Sequence, residues 1–394
     1  MKQILALAYT YYSSDPRVLR ESEALAQHGD QIEVLCLRKT GEPQVEIVQG
    51  VKIRHLPIQR YRGDSTAFYI LGYFWFLILS FVFVSILSVR KRYDVIHVHN
   101  MPDFLVFAAL IPKILGAKII LDLHDLMPET FSAKFGQEGT LTGILFFVER
   151  ASINFAHHII TVHDPYVKLL ESRGVPPDKI TPILNLPDHK IFYPRDFRQD
   201  SNFTLIYFGT VAERHGIDLL LRALACLKSE NLPIRFLLIG EGDAIPDIKR
   251  MVAELNLEGM VELKEEFVPV REIPDYIRRA HMGIIPYRTG PATKYMLPVK
   301  MLEFISMELP VVSARLETIA AYFDDQMIMF FPPEDIDALT DAIRKMFYSE
   351  TLRKSLVENA KRFSNQFHWA NESDKLVSVY EELTTPKAIY VSRI

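Results

Sequence analysis

A lysine and a glutamate lie three residues apart in the segment LPVKMLEFISMELPVV, residues 297–312. Pro298 suits the first turn of a helix, because the N–H groups of that turn have no intrahelical partner. Lys300 and Glu303 would then share one helix face, separate from an apolar face. The pair forms either a solvated salt bridge or a group that binds a ligand at the helix N-terminus.

Other residues of the second half favour a ligand. Arg214 and Lys294, together with Lys300 and the helix N-terminus, could neutralise a diphosphate through charge and free backbone N–H groups. Glu303, one turn deeper, could accept hydrogen bonds from two neighbouring hydroxyls, as on a ribose. Alone, the Lys300–Glu303 pair would be a surface salt bridge of little energetic consequence. Combined with the Gly-Thr turn at 209–210, it predicts a phosphate- or nucleotide-binding site.

Polar residues also follow the predicted strands of the first half, namely Asp15, Arg17, His99, Asn100 and His124. Ligands bind beyond the carboxyl ends of the strands in open α/β sheets, so we expect these residues at one sheet edge. His97 and His99 share a strand face and, with His124, could bind a metal. Metal sites usually add carboxylate or thiolate ligands at close spacing, so no metal site is predicted.

Several protein classes lack support in the sequence. It contains no G-x-G-x-x-G after the first strand, no P-loop and no G-x-S-x-G elbow, which argues against dinucleotide oxidoreductases, P-loop phosphotransferases and α/β-hydrolases. The net charge of −4 and the absence of a basic run argue against nucleic acid as a partner. Cys36 and Cys226 form no C-x-x-C motif and fit a reducing compartment.

The predicted elements that position these residues alternate strand and helix in both halves of the 394-residue chain. Such alternation predicts mainly parallel sheets covered on both faces. We therefore predict two doubly wound α/β domains in tandem, residues 1–188 and 189–368, with the polar segment 185–202 as linker.

One segment departs from the soluble pattern. Residues 68–89, FYILGYFWFLILSFVFVSILSV, carry no charge and are followed by Arg-Lys-Arg at 90–92. The segment is long enough to span a bilayer, but a span would separate residues 1–65 from 93–394, which belong to one predicted sheet. The alternatives are a buried crossover helix and a helix lying in the membrane interface. Its aromatic content favours membrane contact through residues 68–92, and hence a cytoplasmic protein on the inner face of the cell membrane.

The order of several motifs resembles that of the family-4 glycosyltransferases. These are DPRVLRESEALAQHG (15–29), LDLHDLMPE (121–129), YFGTVAERHGIDLLLRAL (207–224) and the segment 297–312. The family consists of retaining enzymes of the GT-B fold, in which two Rossmann-like domains face each other across a cleft. The resemblance implies that a C-terminal helix, about 369–394, packs back on the N-terminal domain.

The resemblance also implies roles for individual residues. Glu303 corresponds to the second glutamate of the family's E-x7-E motif and would hold the ribose. His124 would lie near the donor sugar, and Arg214 with His215 would contact the diphosphate. The implied catalytic residues are His124, Arg214 and Lys300. The implied donor-binding residues are Gly209, Thr210, His215, Phe267, Val268, Lys294, Tyr295, Met296, Leu297 and Glu303. Asp15, Arg17, His99 and Asn100 would lie on the acceptor side.

The sequence departs from the family pattern at three places. His215-Gly216 stands where Lys-Gly is usual before the second-domain helix, with Arg214 as the substitute cation. Tyr295 stands where the first glutamate of E-x7-E is expected, which leaves donor identity and activity open. YYSSDPR replaces the usual Gly-Gly turn after the first strand, so Asp15 and Arg17 would orient that loop or the acceptor. A subgroup with L-P-x-K in the second motif is more similar, and Lys300 then belongs to the site.

The implied activity is transfer of a sugar, with retention, from a nucleotide-diphosphate sugar to a glycan or lipid-linked acceptor in surface polysaccharide or glycoconjugate synthesis. No cofactor and no essential metal are expected, because basic residues and a helix dipole would stabilise the leaving diphosphate. One alternative is a sugar-nucleotide epimerase or hydrolase on the same fold. Another is a non-catalytic nucleotide- or glycan-binding partner of a membrane assembly.

Overall fold

The computed structural model describes residues 1–61, 66–135, 140–197, 200–266 and 268–385. The chain divides into two compact units. Unit 1 comprises Met1–Asn185 and the segment that starts at Trp369, and unit 2 comprises Leu186–His368.

Unit 1 is built on an eight-stranded sheet. Its elements before unit 2 are β1 (Gln3–Ala8), α1 (Pro16–Gln27), β2 (Gln31–Leu37), β3 (Val45–Val48), β4 (Val51–Leu56), α2 (Thr66–Arg90), β5 (Val95–His99), α3 (Leu110–Ile114), β6 (Lys118–Leu123), α4 (Met127–Phe135), α5 (Thr140–Phe155), β7 (His158–Thr161), α6 (Asp164–Ser172) and β8 (Ile180–Pro182). The strand order is β3-β4-β2-β1-β5-β6-β7-β8. All neighbouring strands are parallel except β3, which pairs antiparallel with β4.

Unit 2 is built on a six-stranded sheet. Its elements are β9 (Phe203–Phe208), α7 (Ile217–Ser229), β10 (Ile234–Ile239), α8 (Ile245–Glu254), β11 (Val261–Lys264), α9 (Ile273–Ile277), β12 (Met282–Ile285), α10 (Val299–Ser306), β13 (Val311–Ala314), α11 (Glu317–Tyr322), β14 (Met329–Phe331), α12 (Ile336–Tyr348) and α13 (Glu350–Gln366). The strand order is β11-β10-β9-β12-β13-β14, and every pair is parallel.

The last described helix, α14 (Trp369–Thr384), belongs to unit 1. Leu376 and Tyr380 are fully buried in the core between α1 and the sheet. The Glu372 carboxylate accepts a hydrogen bond from the Leu184 N–H at 2.8 Å, which ties the helix to the end of the first segment. Residues 386–394 of the predicted helix lie outside the described residues.

Two apolar cores cover the two faces of the unit 1 sheet. One contains α1 and α14. The other contains α2, α5 and the 3-10 helix Asp103–Ala109 that leads into α3. The sequence of residues 103–115 predicts a single helix. The chain instead forms this 3-10 helix followed by the five-residue α3.

The crossover helix α2 buries only a narrow stripe, of which Phe76, Ser80 and Val84 have no exposed surface. Ile70–Arg90 is long and apolar enough to cross a membrane, judged by length and composition only. Both ends of α2 lead into strands of the same sheet, β4 and β5. The buried stripe packs in the unit 1 core, so α2 is a crossover helix of this sheet.

Each sheet has one point at which the direction of winding reverses. In unit 1, β1 has β2 on one side and β5 on the other, and in unit 2, β9 has β10 and β12. A crevice opens beyond the carboxyl ends of the strands at such a point, and ligands of open α/β sheets bind there. The polar residues predicted from the sequence follow these strands.

Candidate active site

A cavity of about 210 Å³ lies at the carboxyl ends of β1, β5 and β6 in unit 1. It is lined by Ala8, Tyr9, Thr10, Asp15, Arg17, Arg60, Tyr73, His99, Asn100, Met101, His124 and Asp125. The structure therefore brings together all five residues predicted for this sheet edge. Arg60 and Tyr73 were not predicted, because they reach the cavity from segments distant in sequence.

Asp15 and Arg17 have distinct structural tasks beside the cavity. Asp15 is the N-cap of α1, and its carboxylate accepts hydrogen bonds from the backbone N–H groups of Arg17 and Val18, each at 3.2 Å. The buried Arg17 guanidinium lies 3.0 Å from the Asp122 carboxylate. The loop after β1 is thus anchored to the end of β6.

Asp122 connects the charged groups of this site. One of its oxygens lies 2.8 Å from His99 Nδ1 and 4.0 Å from His124 Nδ1. Burial, reinforced by the Arg17 charge, lowers the pKa of His99 to about 3. The same two causes hold the pKa of His124 well below its usual range. Both imidazoles are therefore neutral near pH 7.

Asn100 organises the backbone around His124. Its side-chain oxygen accepts hydrogen bonds from the N–H groups of His124 and Asp125 at 3.2 and 3.4 Å. Its amide nitrogen donates to Asp103 and to the Asp125 carbonyl, at 2.8 and 2.6 Å. The carboxamide thereby fixes the loop that carries the histidine.

Beneath the cavity lies a buried polar cluster of Glu21, His97, His99 and Asp122, whose possible ligand atoms all lie within 4.8 Å of one another. Histidine and carboxylate side chains are metal ligands, and the sequence raised a metal at His97 and His99 as an alternative. The Arg17 guanidinium, however, already balances Asp122. Burial, and then the Asp122 charge, raises the pKa of Glu21 well above its usual range.

In unit 2, Lys300 lies at the carboxyl end of β9. Its ammonium lies 3.8 Å from the centre of the Tyr207 ring. A Cβ atom at position 209 would lie only 3.1 Å from Lys300 Nζ, and Gly209 has a φ of +104°. The glycine therefore provides both the backbone conformation and the space that the lysine needs.

The electrostatics around Lys300 favour an anionic ligand. Burial lowers the pKa of the Lys300 ammonium to about 7, with Glu303 opposing the shift and Arg214 adding to it. Burial and the charges of Lys300 and Arg214 lower the pKa of His215 to about 3. Lys300, Arg214 and His215 thus influence one another's charge, as their predicted common site requires. Arg214 is a cation, and Lys300 becomes one when it is protonated.

The helix that carries Lys300 begins directly after Pro298. Pro298 is the N-cap of α10, which starts at Val299, and Pro298 supplies no side-chain hydrogen bond to the first turn. Glu303 lies one turn beyond Lys300 and is half-buried. The N–H groups of this first turn and the Lys300 ammonium together form an arrangement that suits phosphate oxygens.

The other predicted donor-binding residues have mixed environments. Lys294 is half-buried and lies 3.1 Å from the Glu317 carboxylate, so its charge is already paired. Thr210 directly follows Gly209, and its carbonyl accepts a hydrogen bond from the Tyr207 hydroxyl at 2.8 Å. The other half-buried residues are Val268, Tyr295, Met296 and Leu297. Phe267 lies outside the described residues.

Each unit matches a model of a known protein family. Residues 14–185 match the model of the glycosyl transferase 4-like domain, and residues 202–348 match that of the glycosyl transferases group 1. Together the two matches cover most of the chain.

Individual relatives extend over nearly the whole chain. D-inositol 3-phosphate glycosyltransferase 1 of Catenulispora acidiphila is 24% identical, over 92% of this chain and 89% of that protein. One subunit of the human phosphatidylinositol N-acetylglucosaminyltransferase is 22% identical, over 94% of this chain and 73% of that protein.

Solved structures share the fold. The Anabaena protein HepE in complex with UDP-glucose superimposes with a TM-score of 0.71 at 14% identity, covering 97% of this chain and 100% of that one. The chain therefore belongs to the glycosyltransferases of the GT-B fold, with a glycosyl transferase 4-like domain followed by a glycosyl transferases group 1 domain.

Proposed function

We propose that this glycosyltransferase moves a sugar from a nucleotide-diphosphate sugar to a glycan or lipid-linked acceptor, with retention of the anomeric configuration. The observation that carries the proposal is the Lys300 ammonium at the carboxyl end of β9, beside Gly209 and on the first turn of α10, where desolvation lowers its pKa. A cation held in this state gains strongly from an anionic ligand, because the ligand replaces the solvation that burial removed. HepE, which has the same fold, was crystallised with UDP-glucose, and this supports a nucleotide sugar as that ligand.

The donor would bind at the carboxyl edge of the unit 2 sheet. Lys300, Arg214 and the first turn of α10 would hold the diphosphate, with Gly209 allowing its close approach. Glu303 would accept hydrogen bonds from the ribose hydroxyls. His215 and Thr210 would complete the phosphate side, and Tyr295, Met296 and Leu297 would contact the sugar, with Val268 and Phe267 beside the base. Lys294 would join the donor only by leaving Glu317.

Transfer would break the bond between the anomeric carbon and the diphosphate oxygen, and the electron pair would leave with the diphosphate. The acceptor hydroxyl would attack from the same side, and its proton would pass to the leaving diphosphate. Lys300 and Arg214 would stabilise the negative charge as it develops, which is usually the largest contribution to catalysis of this kind. His124 is neutral and would hydrogen-bond the sugar without opposing its developing positive charge. No cofactor or essential metal enters this scheme.

The acceptor would bind in the unit 1 cavity, whose wall includes Asp15, Arg17, His99 and Asn100. Relatives named for inositol 3-phosphate and phosphatidylinositol support a polar or lipid-linked acceptor. We propose contact with the membrane through residues 68–92, on the cytoplasmic side. Synthesis of surface polysaccharide or glycoconjugate is the corresponding role.

A turnover assay with UDP-, GDP- and ADP-sugars, with and without added membrane lipid, tests the proposal. We expect acceptor-dependent release of one nucleoside diphosphate, lost in His124→Ala while nucleotide affinity survives. Release without any acceptor would instead support the sugar-nucleotide hydrolase or epimerase. Nucleotide binding without turnover would support the non-catalytic binding protein, which Tyr295 at the expected glutamate position favours.

A further inference from the structure

Three helices on one face of unit 1 carry exposed apolar side chains. On α2 the most exposed are Phe68, Leu71, Trp75, Ile78 and Val89, which are 52–75% exposed. Ile114 of α3 is 71% exposed, and Phe147 of α5 is 72% exposed. Isolated apolar residues at a surface are common, but a group of this size on one face usually marks a partner.

The exposed side chains belong to one continuous surface, because the helices that carry them pack side by side. The 3-10 helix Asp103–Ala109 contacts both α2 and α5, and α3 contacts α2. Phe74 of α2 stacks on Phe104 of the 3-10 helix, with ring centres 5.1 Å apart. All of these elements cover the same face of the sheet. We call the exposed surface of α2, α3 and α5 the apolar face.

The apolar face is uncharged over most of its length and has cations at one end. Residues 66–89, 104–112 and 140–148 contain no charged side chain. Arg90 ends α2 and Arg92 follows it; both are exposed, and neither forms an ion pair within the described residues. At the end of α5, Lys113 and Lys179 donate to the carbonyls of Phe155 and Ile153, at 2.5 and 2.7 Å. The helix ends at the amino edge of the sheet are thus rimmed by cations.

We propose that the apolar face as a whole rests on the surface of an anionic lipid bilayer, with α2 parallel to the membrane plane. This extends the contact proposed above for residues 68–92 and rests on that proposed function. An apolar surface rimmed by cations matches the acyl boundary and anionic headgroups of a bilayer. A spanning α2 would have to withdraw Phe76 and Val84 from the unit 1 core, where neither has exposed surface.

The apolar face also borders the unit 1 cavity. Tyr73 of α2 lines the cavity, and the neighbouring Trp75 is 53% exposed on the apolar face. At Gly72, a Cβ atom would lie 3.1 Å from the Tyr9 hydroxyl, so α2 approaches the end of β1 closely there. A lipid-linked acceptor could therefore place its polar group in the cavity while its chains stay in the membrane.

Vesicle flotation of the full chain tests the proposal without any turnover. We expect flotation with vesicles of phosphatidylcholine and phosphatidylglycerol, and weaker flotation with phosphatidylcholine alone. Ile114→Glu and Phe147→Glu should each lower the partition coefficient about tenfold, since each places a charge in the interface. Tyr348→Glu is the matched control, because Tyr348 is 67% exposed on α12 of unit 2, outside the apolar face. This substitution should leave the partition coefficient unchanged.

Unchanged nucleotide binding to unit 2 and unchanged circular dichroism would show that the variants fold. Flotation of both variants at the wild-type level would overturn the proposal, since α2 alone would then suffice. The proposal would also be overturned if the wild-type protein did not float and instead formed a dimer that Phe147→Glu dissociates. A second copy of the chain would then cover the apolar face. Failure of the sugar-transfer assay with normal flotation would refute only the proposed function.

Discussion

Nucleotide binding should be coupled to uptake of a proton by Lys300. With a pKa of about 7, this side chain is roughly 75% neutral at pH 7.5 and only about 10% neutral at pH 6. An adjacent diphosphate favours the charged form and raises the pKa by several units. We therefore expect Lys300 to take up about 0.7 proton per nucleotide at pH 7.5 and about 0.1 at pH 6, where the terminal phosphate, with a pKa of about 6, releases protons of its own. Nucleotide binding takes up a proton and does not release one, because the diphosphate raises the pKa of Lys300, which burial has lowered.

Calorimetric titration with the preferred nucleoside diphosphate, in Tris and in Pipes at each pH, measures this uptake from the dependence of the binding enthalpy on the buffer. Lys300→Met should abolish the uptake at pH 7.5 and weaken binding. Lys354→Met is the matched control, because this lysine of unit 2 is exposed and paired with Glu350 at 2.6 Å. The terminal phosphate itself, with a pKa of about 6, contributes little at pH 7.5.

Two results would refute the argument. If the binding enthalpy at pH 7.5 did not depend on the buffer, Lys300 would be charged before the nucleotide arrives. If Lys300→Met took up the same number of protons as the wild type, another group would be the acceptor. Either result would show that the diphosphate does not protonate Lys300.

Three further substitutions test contacts of both units. Gly209→Ala should destabilise unit 2 by about 1–3 kcal/mol in urea denaturation, because of its positive φ, and weaken nucleotide binding by displacing Lys300. Asp122→Asn should lower stability by roughly 3–5 kcal/mol, since it leaves the buried Arg17 charge unpaired, with nucleotide affinity unchanged in calorimetry. Tyr380→Phe should lower the urea midpoint by an amount that corresponds to about 1–3 kcal/mol, since its hydroxyl lies 2.7 Å from His97 Nδ1 in the core. Unchanged stability in urea denaturation would contradict the respective contacts.

Local sequence patterns were sufficient for much of the fold. Alternating strands and helices predicted parallel sheets, and the polar residues at strand ends predicted the edge at which Asp15, His99 and His124 meet. The short antiparallel β3 and the 3-10 helix at Asp103–Ala109 were not predicted, because tertiary packing determines such short elements.

Contacts between distant segments were the main omission at the site. Asp122 connects Arg17 and His99 only after β1, β5 and β6 have paired, and no local spacing indicates this. Tyr207 likewise meets Lys300 across more than ninety residues of chain. Conversely, the basic loop residue Lys294 was expected at the donor, whereas the structure pairs it with Glu317.

The central claim is that unit 2 binds a nucleoside diphosphate through the first turns of α10. Titration of the wild type and Glu303→Ala with UDP, GDP, ADP and CMP tests it most directly. We predict preference for one nucleoside diphosphate, with affinity sharply reduced in Glu303→Ala because the ribose loses its acceptor. Absence of binding by the wild type, or equal affinity in the variant, would contradict the account.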